Sequence, residues 1–214
     1  ETPLGASPHA VDAFKAVAEK LELYPDGSAT QLRDTIGARY GLDPNRIVCG
    51  AGSDELLSLI TNAYIGPGDE GIYTEHGFLV YKIAIQAAGG TPVVAKEKNF
   101  QTDVDAILNC VTPRTKIVYL ANPNNPTGNL FDPVAIRNII ENSPGLVVID
   151  EAYHAFAGES FMQALEEYRN LVVMRTLSKL GLAGLRIGYA AARPEWIHEF
   201  DKVRGPYNVG ILTQ

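Results

Sequence analysis

Lys116-Ile117-Val118-Tyr119-Leu120, the amphipathic segment from Pro133 to Asn142, and Leu146-Val147-Val148-Ile149 together decide the fold. Two short apolar runs of strand length flank a stretch of helical period, which reads as a strand–helix–strand unit with parallel strands. The rhythm extends in both directions. Further strand-like runs lie at Ile47-Val48-Cys49, Gly71-Ile72-Tyr73-Thr74, Thr91 to Ala95, Leu171 to Met174 and Gly188 to Ala192. Amphipathic stretches separate them near Asp54 to Tyr64, Phe78 to Ala88, Val104 to Cys110 and Glu195 to Lys202. Strands alternating with helices predict an α/β domain built on a largely parallel sheet. Ligands of such sheets sit beyond the carboxyl ends of the strands, so the loops that follow strands are where chemistry is to be sought.

Upstream of this region, Val11, Phe14, Ala18 and Leu21 share a helical face behind Ser7 and Pro8, predicting a helix from about Pro8 to Leu23. Tyr24-Pro25-Asp26-Gly27-Ser28 reads as a turn, and Leu32, Ile36 and Tyr40 mark a second helix ending near Gly41. The 214 residues carry a formal charge of −7, from 18 Lys and Arg against 25 Asp and Glu. Such a balance lacks the broad basic field that holds nucleic acid or an anionic membrane, so an anionic ligand needs a local site. The longest apolar run, Leu180 to Leu185, stops at Arg186, well short of the roughly 18 residues of a membrane span. Cys49 and Cys110 make neither a disulfide framework nor a metal quartet, which points to buried packing residues in a reducing, cytoplasmic compartment. A start at Glu1 without Met and a stop at Gln214, just after Pro206-Tyr207-Asn208, suggest a piece of a longer polypeptide.

Four segments at strand ends carry candidate chemistry. Cys49-Gly50-Ala51-Gly52-Ser53-Asp54-Glu55 leads from a strand into a helix, where free N–H groups and the helix dipole favour a phosphate. It nearly matches a dinucleotide fingerprint, with Glu55 in place of the third glycine and Glu75 as the ribose ligand that model needs; a tight turn without a ligand is the alternative. Ala121-Asn122-Pro123-Asn124-Asn125-Pro126-Thr127-Gly128 is a proline-stiffened loop whose Asn side chains offer both donor and acceptor, or else a run of turn formers. Leu146 to Tyr153 ends in Asp150-Glu151, similar to the metal-binding acid segment of a nucleotide hydrolase, although no Gly-x-x-x-x-Gly-Lys-Ser/Thr occurs upstream. Finally, Arg175-Thr176-Leu177-Ser178-Lys179-Leu180-Gly181-Leu182-Ala183-Gly184-Leu185-Arg186 sets a lysine between hydroxyls in an apolar, glycine-rich stretch. Partial burial and nearby cations favour the neutral amine that a Schiff base needs, and Arg186 with the hydroxyls suits a phosphate; a plain surface lysine is the alternative.

In combination and in this order, Gly52-Ser53-Asp54, Asn125-Pro126-Thr127-Gly128, Asp150-Glu151-Ala152-Tyr153 and Ser178-Lys179 with Arg186 resemble the fold-type I pyridoxal-phosphate aminotransferases of class I/II. The opening Glu1-Thr2-Pro3-Leu4-Gly5-Ala6-Ser7-Pro8, Tyr24-Pro25 and the stretch from Arg175 to Gly188 are most similar to the histidinol-phosphate branch of that family, and the likeness covers the whole chain. The resemblance implies a three-layer αβα large domain over residues 29–214, with a mostly parallel seven-stranded sheet containing one antiparallel strand. Residues 1–28 would lead into it and contribute to a dimer site. The N-terminal arm and C-terminal small domain of relatives are missing from this sequence, so the fragment alone is expected to be inactive.

The resemblance further implies pyridoxal 5'-phosphate as cofactor and no metal. Lys179 would be its Schiff-base anchor and the acid and base of the reaction. Asp150 would pair with the pyridine nitrogen, Asn125 and Tyr153 would bond the phenolic oxygen, and Tyr81 would stack on the ring unless it is a core tyrosine. Gly52, the Ser53 and Asp54 N–H groups, the Thr176 and Ser178 hydroxyls and Arg186 would hold the phosphate, with Tyr24 reaching that of the neighbouring subunit in a homodimer. The implied reaction is amino exchange between L-histidinol phosphate and 2-oxoglutarate, giving imidazole-acetol phosphate and glutamate, in histidine biosynthesis. An aromatic amino-acid aminotransferase, a threonine-phosphate decarboxylase and, from another class, a Mg²⁺-dependent nucleotide hydrolase using Asp150-Glu151 are the alternatives. Two departures stand out: the Lys179-to-Arg186 spacing is one residue shorter than in many members, and Gly210 replaces the Asn expected after Pro206-Tyr207-Asn208-Val209, leaving substrate contacts there open.

Overall fold

A computed structural model describes residues 2–214, so Glu1 of the opening motif lies outside the described residues. The strands are β1 (Ile47–Gly50), β2 (Glu70–Thr74), β3 (Thr91–Ala95), β4 (Glu97–Lys98), β5 (Gln101–Thr102), β6 (Thr115–Ala121), β7 (Leu146–Asp150), β8 (Leu171–Thr176) and β9 (Gly188–Ala191). The α-helices are α1 (Pro8–Val17), α2 (Thr30–Tyr40), α3 (Ser53–Tyr64), α4 (Leu79–Ala87), α5 (Val104–Asn109), α6 (Pro133–Asn142) and α7 (Pro194–Val203). A seven-stranded sheet runs in the order β1-β9-β8-β7-β6-β2-β3, with β9 antiparallel to both its neighbours and every other pairing parallel. The mostly parallel sheet with a single reversed strand is therefore as expected; the small β4–β5 hairpin was not foreseen.

Strand alternation sorts the core into two layers. From β7, Val147 and Ile149 face one layer with Ile136, Ile139 and Ile140 of α6, while Leu146 and Val148 face the other with Leu56, Leu57 and Ile60 of α3. Because helices cover both faces, β7 and β8 are buried at every position and β6 at all but Lys116, and they read as continuous apolar runs instead of alternating ones. The β3 strand lies at the sheet edge, where Pro92 leaves no ladder donor missing. Side-chain caps set two of the helix starts: Asp132 accepts from Val134 N–H at 2.9 Å and Asp103 from Ala106 N–H at 3.2 Å.

At the N-terminus the structure departs from the expected helix. The α-helix stops at Val17 and continues as a 3₁₀ turn over Ala18–Lys20, and none of its residues is buried. Its apolar face has the expected period but no core behind it; Val11 and Phe14 instead join Ala6, Ala10, Leu182 and Leu185 in an open apolar groove. Both cysteines are free, Cys49 buried and Cys110 half-buried. No helix among the described residues is long and apolar enough to cross a membrane.

Candidate active site

The carboxyl ends of β1, β2, β6, β7 and β8 open on one rim of the sheet, and the start of β9 comes to the same rim because that strand runs backwards, pairing Gly188 with both Gly50 and Thr176. A cavity of about 240 Å³ lies there, lined by Ser53, Asp54, Phe78, Ala121, Pro123, Asn125, Asp150, Ala152, Tyr153, Thr176, Ser178, Lys179, Ala183 and Arg186. Segments more than a hundred residues apart in sequence thus converge on one space, at the position where α/β sheets place their ligands.

One end is built to take an anion. The first turn of α3 presents N–H groups of Ser53 and Asp54 that have no partner within the helix. Gly52 caps it at φ 87°, and a Cβ there would fall 2.8 Å from Cζ of Arg186. The positive φ is what favours glycine, and its bare backbone lets the guanidinium lie against it where a Cβ would make the arginine shift. Gly188 serves likewise, since a Cβ on it would meet the Gly52 carbonyl carbon at 2.7 Å. Arg186 itself has φ 53°, a left-handed conformation that costs a non-glycine residue about 1 kcal/mol, and its Nη2 reaches Asp54 Oδ2 at 3.1 Å. The Thr176 hydroxyl lies 2.9 Å from both the Ile187 carbonyl and the Ser178 hydroxyl, and accepts from Ser178 N–H at 3.1 Å.

At the floor, Asp150 ends β7 with only 5% of its surface exposed. Its Oδ1 accepts from Ala152 N–H at 3.0 Å and its Oδ2 from the Tyr81 hydroxyl at 2.9 Å. Burial pushes the carboxyl up to about 6, while those two donors pull it back. Lys179 sits in a 3₁₀ turn, Ser178–Leu180, half-buried, with Nζ 5.2 Å from the centre of the Tyr153 ring. None of the salt bridges that involve lysine among the described residues uses it.

Among the loop asparagines the structure separates scaffold from site. Buried Asn122 accepts Phe131 N–H at 2.9 Å, and buried Asn124 donates to the His76 carbonyl at 3.0 Å and to Thr127 Oγ1 at 2.7 Å. Asn122 Oδ1 and Asn124 Nδ2 thus hold the loop, Asn124 Oδ1 is buried without a partner, and Asn125 is left half-buried facing the cavity.

Tyr81 does not stack on anything in the cavity. It is fully buried, one turn into α4, with its ring stacked on Tyr119 at 4.9 Å and 5°, so the alternative of a core tyrosine is the correct one. Phe78, in the loop just before α4, lines the cavity instead and meets Tyr81 edge-on at 5.8 Å. Sequence reasoning passed over Phe78, although its place between a strand end and a helix start was the available signal. Tyr24 lies outside this cavity, 80% exposed and stacked on Tyr207 at 4.8 Å. The lining residues Pro123, Ala152 and Ala183 were also not anticipated.

The two rival readings lose their residues. Glu151, just past the end of β7, turns to other partners than Asp150, and its carboxylate is engaged by Arg175 at 2.8 and 2.9 Å, Ser160 Oγ at 2.9 Å and Phe161 N–H at 2.6 Å. A metal site on Asp150-Glu151 is thereby left with one carboxylate. Glu75, the ribose ligand of a dinucleotide site, pairs with Lys96 at 2.5 Å and does not line the cavity. In Pro206-Tyr207-Asn208, Asn208 donates to the Cys49 carbonyl at 3.0 Å and Glu55 Oε2 at 2.9 Å, and Glu55 also accepts Ala51 N–H, so this motif braces the glycine loop from behind.

Comparison with known proteins bears on this geometry. The family model described as aminotransferase class I and II matches residues 1–214. Histidinol-phosphate aminotransferases of Rhodopseudomonas palustris (strain HaA2) and Rhodospirillum centenum are each 48% identical over 221 residues, covering 100% of this chain and 60% and 61% of theirs. The crystal structure of histidinol-phosphate aminotransferase from Sinorhizobium meliloti in complex with pyridoxal-5'-phosphate superposes with a TM-score of 0.93 at 27% identity, over 100% of this chain and 60% of that one. The chain thus spans about 60% of the length of the curated relatives it matches.

Proposed function

Because this chain belongs to the aminotransferase class I and II family, we propose that it is the cofactor-binding part of a pyridoxal-phosphate enzyme that exchanges an amino group between L-histidinol phosphate and 2-oxoglutarate. One observation carries the proposal: a free lysine, a buried carboxylate and an anion cradle face each other across a cavity sized for a single substituted ring. The donor set fits the cofactor. Gly52, the Ser53 and Asp54 N–H groups, Thr176, Ser178 and Arg186 suit its phosphate; Asp150 suits a protonated ring nitrogen; Asn125 and Tyr153 suit the phenolic oxygen; and Phe78 suits the ring face. When bound, pyridoxal phosphate supplies the electron sink that makes the substrate Cα–H acidic.

The chain's own residues do the rest. Lys179 would provide the amine that holds the cofactor, and its Nζ would be the group that takes and returns a proton in the cavity. Asp150, whose carboxylate accepts from two donors, would hold a cationic ring nitrogen. Tyr153, with Lys179 against its ring, restricts where that amine can swing. The remaining elements of the proposal are a homodimer, cytoplasmic and in histidine biosynthesis, with residues 29–214 as the large domain and residues 1–28 leading into it at the subunit contact. The exposed apolar face of α1 and the exposed Tyr24–Tyr207 stack support a second copy there, with Tyr24 offered to the partner's phosphate.

The test is to add pyridoxal phosphate to the full-length protein, reduce with borohydride and map the labelled peptide. Label on Lys179, lost in Lys179→Ala, is the expected result; label retained in that variant overturns the assignment. Half-reaction rates with histidinol phosphate, aromatic amino acids and threonine phosphate then fix the substrate, and a preference for either of the latter refutes the histidinol-phosphate reading.

A further inference from the structure

The carboxylate at the cavity floor has a support that no part of the proposed reaction touches. A fully buried acid favours its neutral form, and a neutral acid cannot hold a cationic ring nitrogen. Apart from the Ala152 N–H, the only donor to Asp150 among the described residues is the Tyr81 hydroxyl, 2.9 Å from Oδ2. That hydroxyl cannot swing aside. Its ring is clamped in parallel against Tyr119, whose own hydroxyl is anchored 2.7 Å from Thr61 Oγ1, and is met edge-on by Phe78 from the cavity side. An ionised carboxylate only accepts, so Tyr81 spends its one proton on Asp150.

We propose that Tyr81 is a positioning residue for the cofactor's ring nitrogen: its hydroxyl keeps Asp150 ionised and aimed so that the nitrogen stays protonated. This rests on the pyridoxal-phosphate reading above. Phe78 couples the two, because the aromatic wall of the cavity packs on the ring that orients the carboxylate. A charge-assisted hydrogen bond in a buried site makes the effect measurable.

The experiment uses full-length protein loaded with ¹⁵N-pyridoxal phosphate, comparing wild type, Tyr81→Phe and Tyr119→Phe. Both variants lose one buried hydroxyl, but only the first loses a donor to Asp150. Expected for Tyr81→Phe is a ring-nitrogen ¹⁵N shift moved toward the unprotonated value and cofactor affinity weakened on the order of tenfold, with Tyr119→Phe leaving the shift at its wild-type position. Equal ¹⁵N shifts in all three, or the same displacement in both variants, overturn the positioning role even if melting temperatures fall. Wild-type protein that takes up no borohydride-reducible cofactor overturns the pyridoxal-phosphate reading, and this inference with it. If Tyr81→Phe does not fold, Tyr81→Trp replaces it, filling the space without a hydroxyl at that oxygen and facing the same criteria.

Discussion

Asp150 is held in the cavity at a cost to the fold, and replacing it by asparagine exposes that cost. Burial pushes the carboxyl up to about 6 from an ordinary 3.8, a difference worth about 3 kcal/mol. The sign follows from proton counts. Between about pH 4 and 6 the native state binds more protons than the unfolded chain, so stability falls as pH rises through that window, and above it the whole penalty is present. An amide carries no charge to desolvate. It has one oxygen for two donors, however, so either the Tyr81 hydroxyl or the Ala152 N–H loses its acceptor, at about 1 kcal/mol. Cofactor-free Asp150→Asn is therefore expected to be about 2 kcal/mol more stable than wild type at pH 8, a rise of about 4–8 °C in Tm for a chain of this size. At pH 4 the wild-type acid is neutral and keeps both donors, so the order reverses and the variant is about 1 kcal/mol less stable. Urea unfolding of both proteins at the two pH values checks this, since all other groups cancel in the difference. A gap that does not change sign refutes the claim that desolvation dominates this carboxylate.

The buried ion pair next to it predicts the opposite response. Glu151→Gln leaves Arg175 buried without its counter-charge and is expected to destabilise the fold by about 3 kcal/mol, read as a lower urea midpoint. Phe78→Ala removes the aromatic wall and is expected to weaken pyridoxal-phosphate affinity about tenfold, with Phe78→Tyr within a factor of about two, in fluorescence titrations. Arg186→Gln is expected to weaken pyridoxal phosphate on the order of tenfold while leaving pyridoxal, which lacks the phosphate, unaffected; equal losses for both ligands would show that the arginine acts on something other than the phosphate.

The sheet was legible because its strands are buried on both faces and so stand out as unbroken apolar runs between helical periods; α6 was read to its ends, since Pro133 follows the capping Asp132. The N-terminal helix shows what periodicity omits. Its apolar spacing is real, yet nothing in one chain covers it, and a pattern cannot say whether its partner is a core or another surface. At the site, charged and glycine positions were legible because their chemistry is rare: Lys179, Arg186 and Gly52 all reach the cavity or its wall. Asn122, Asn124 and Asn125 look alike in sequence, and only the carbonyls and N–H groups brought up by distant loops decide which is spent on scaffold. The Phe78 and Tyr81 exchange has the same origin. Two aromatics three residues apart differ only in whether a helix has started, and the first turn of α4 rotates Tyr81 onto the sheet.

The reversed strand β9 has a kinetic consequence. It lies between β1 and β8, and it brings Arg186 to Asp54 across 132 residues of chain, with Gly188 packed against Gly52. The anion cradle is thus made of the most sequence-distant contacts of the sheet, which carry the largest loop-closure entropy and are expected to form late in folding. Cofactor affinity should then emerge in refolding only with the last strand to insert. A ligand that binds this cradle selects molecules whose folding is finished, and stabilises them by mass action without accelerating the steps that come before.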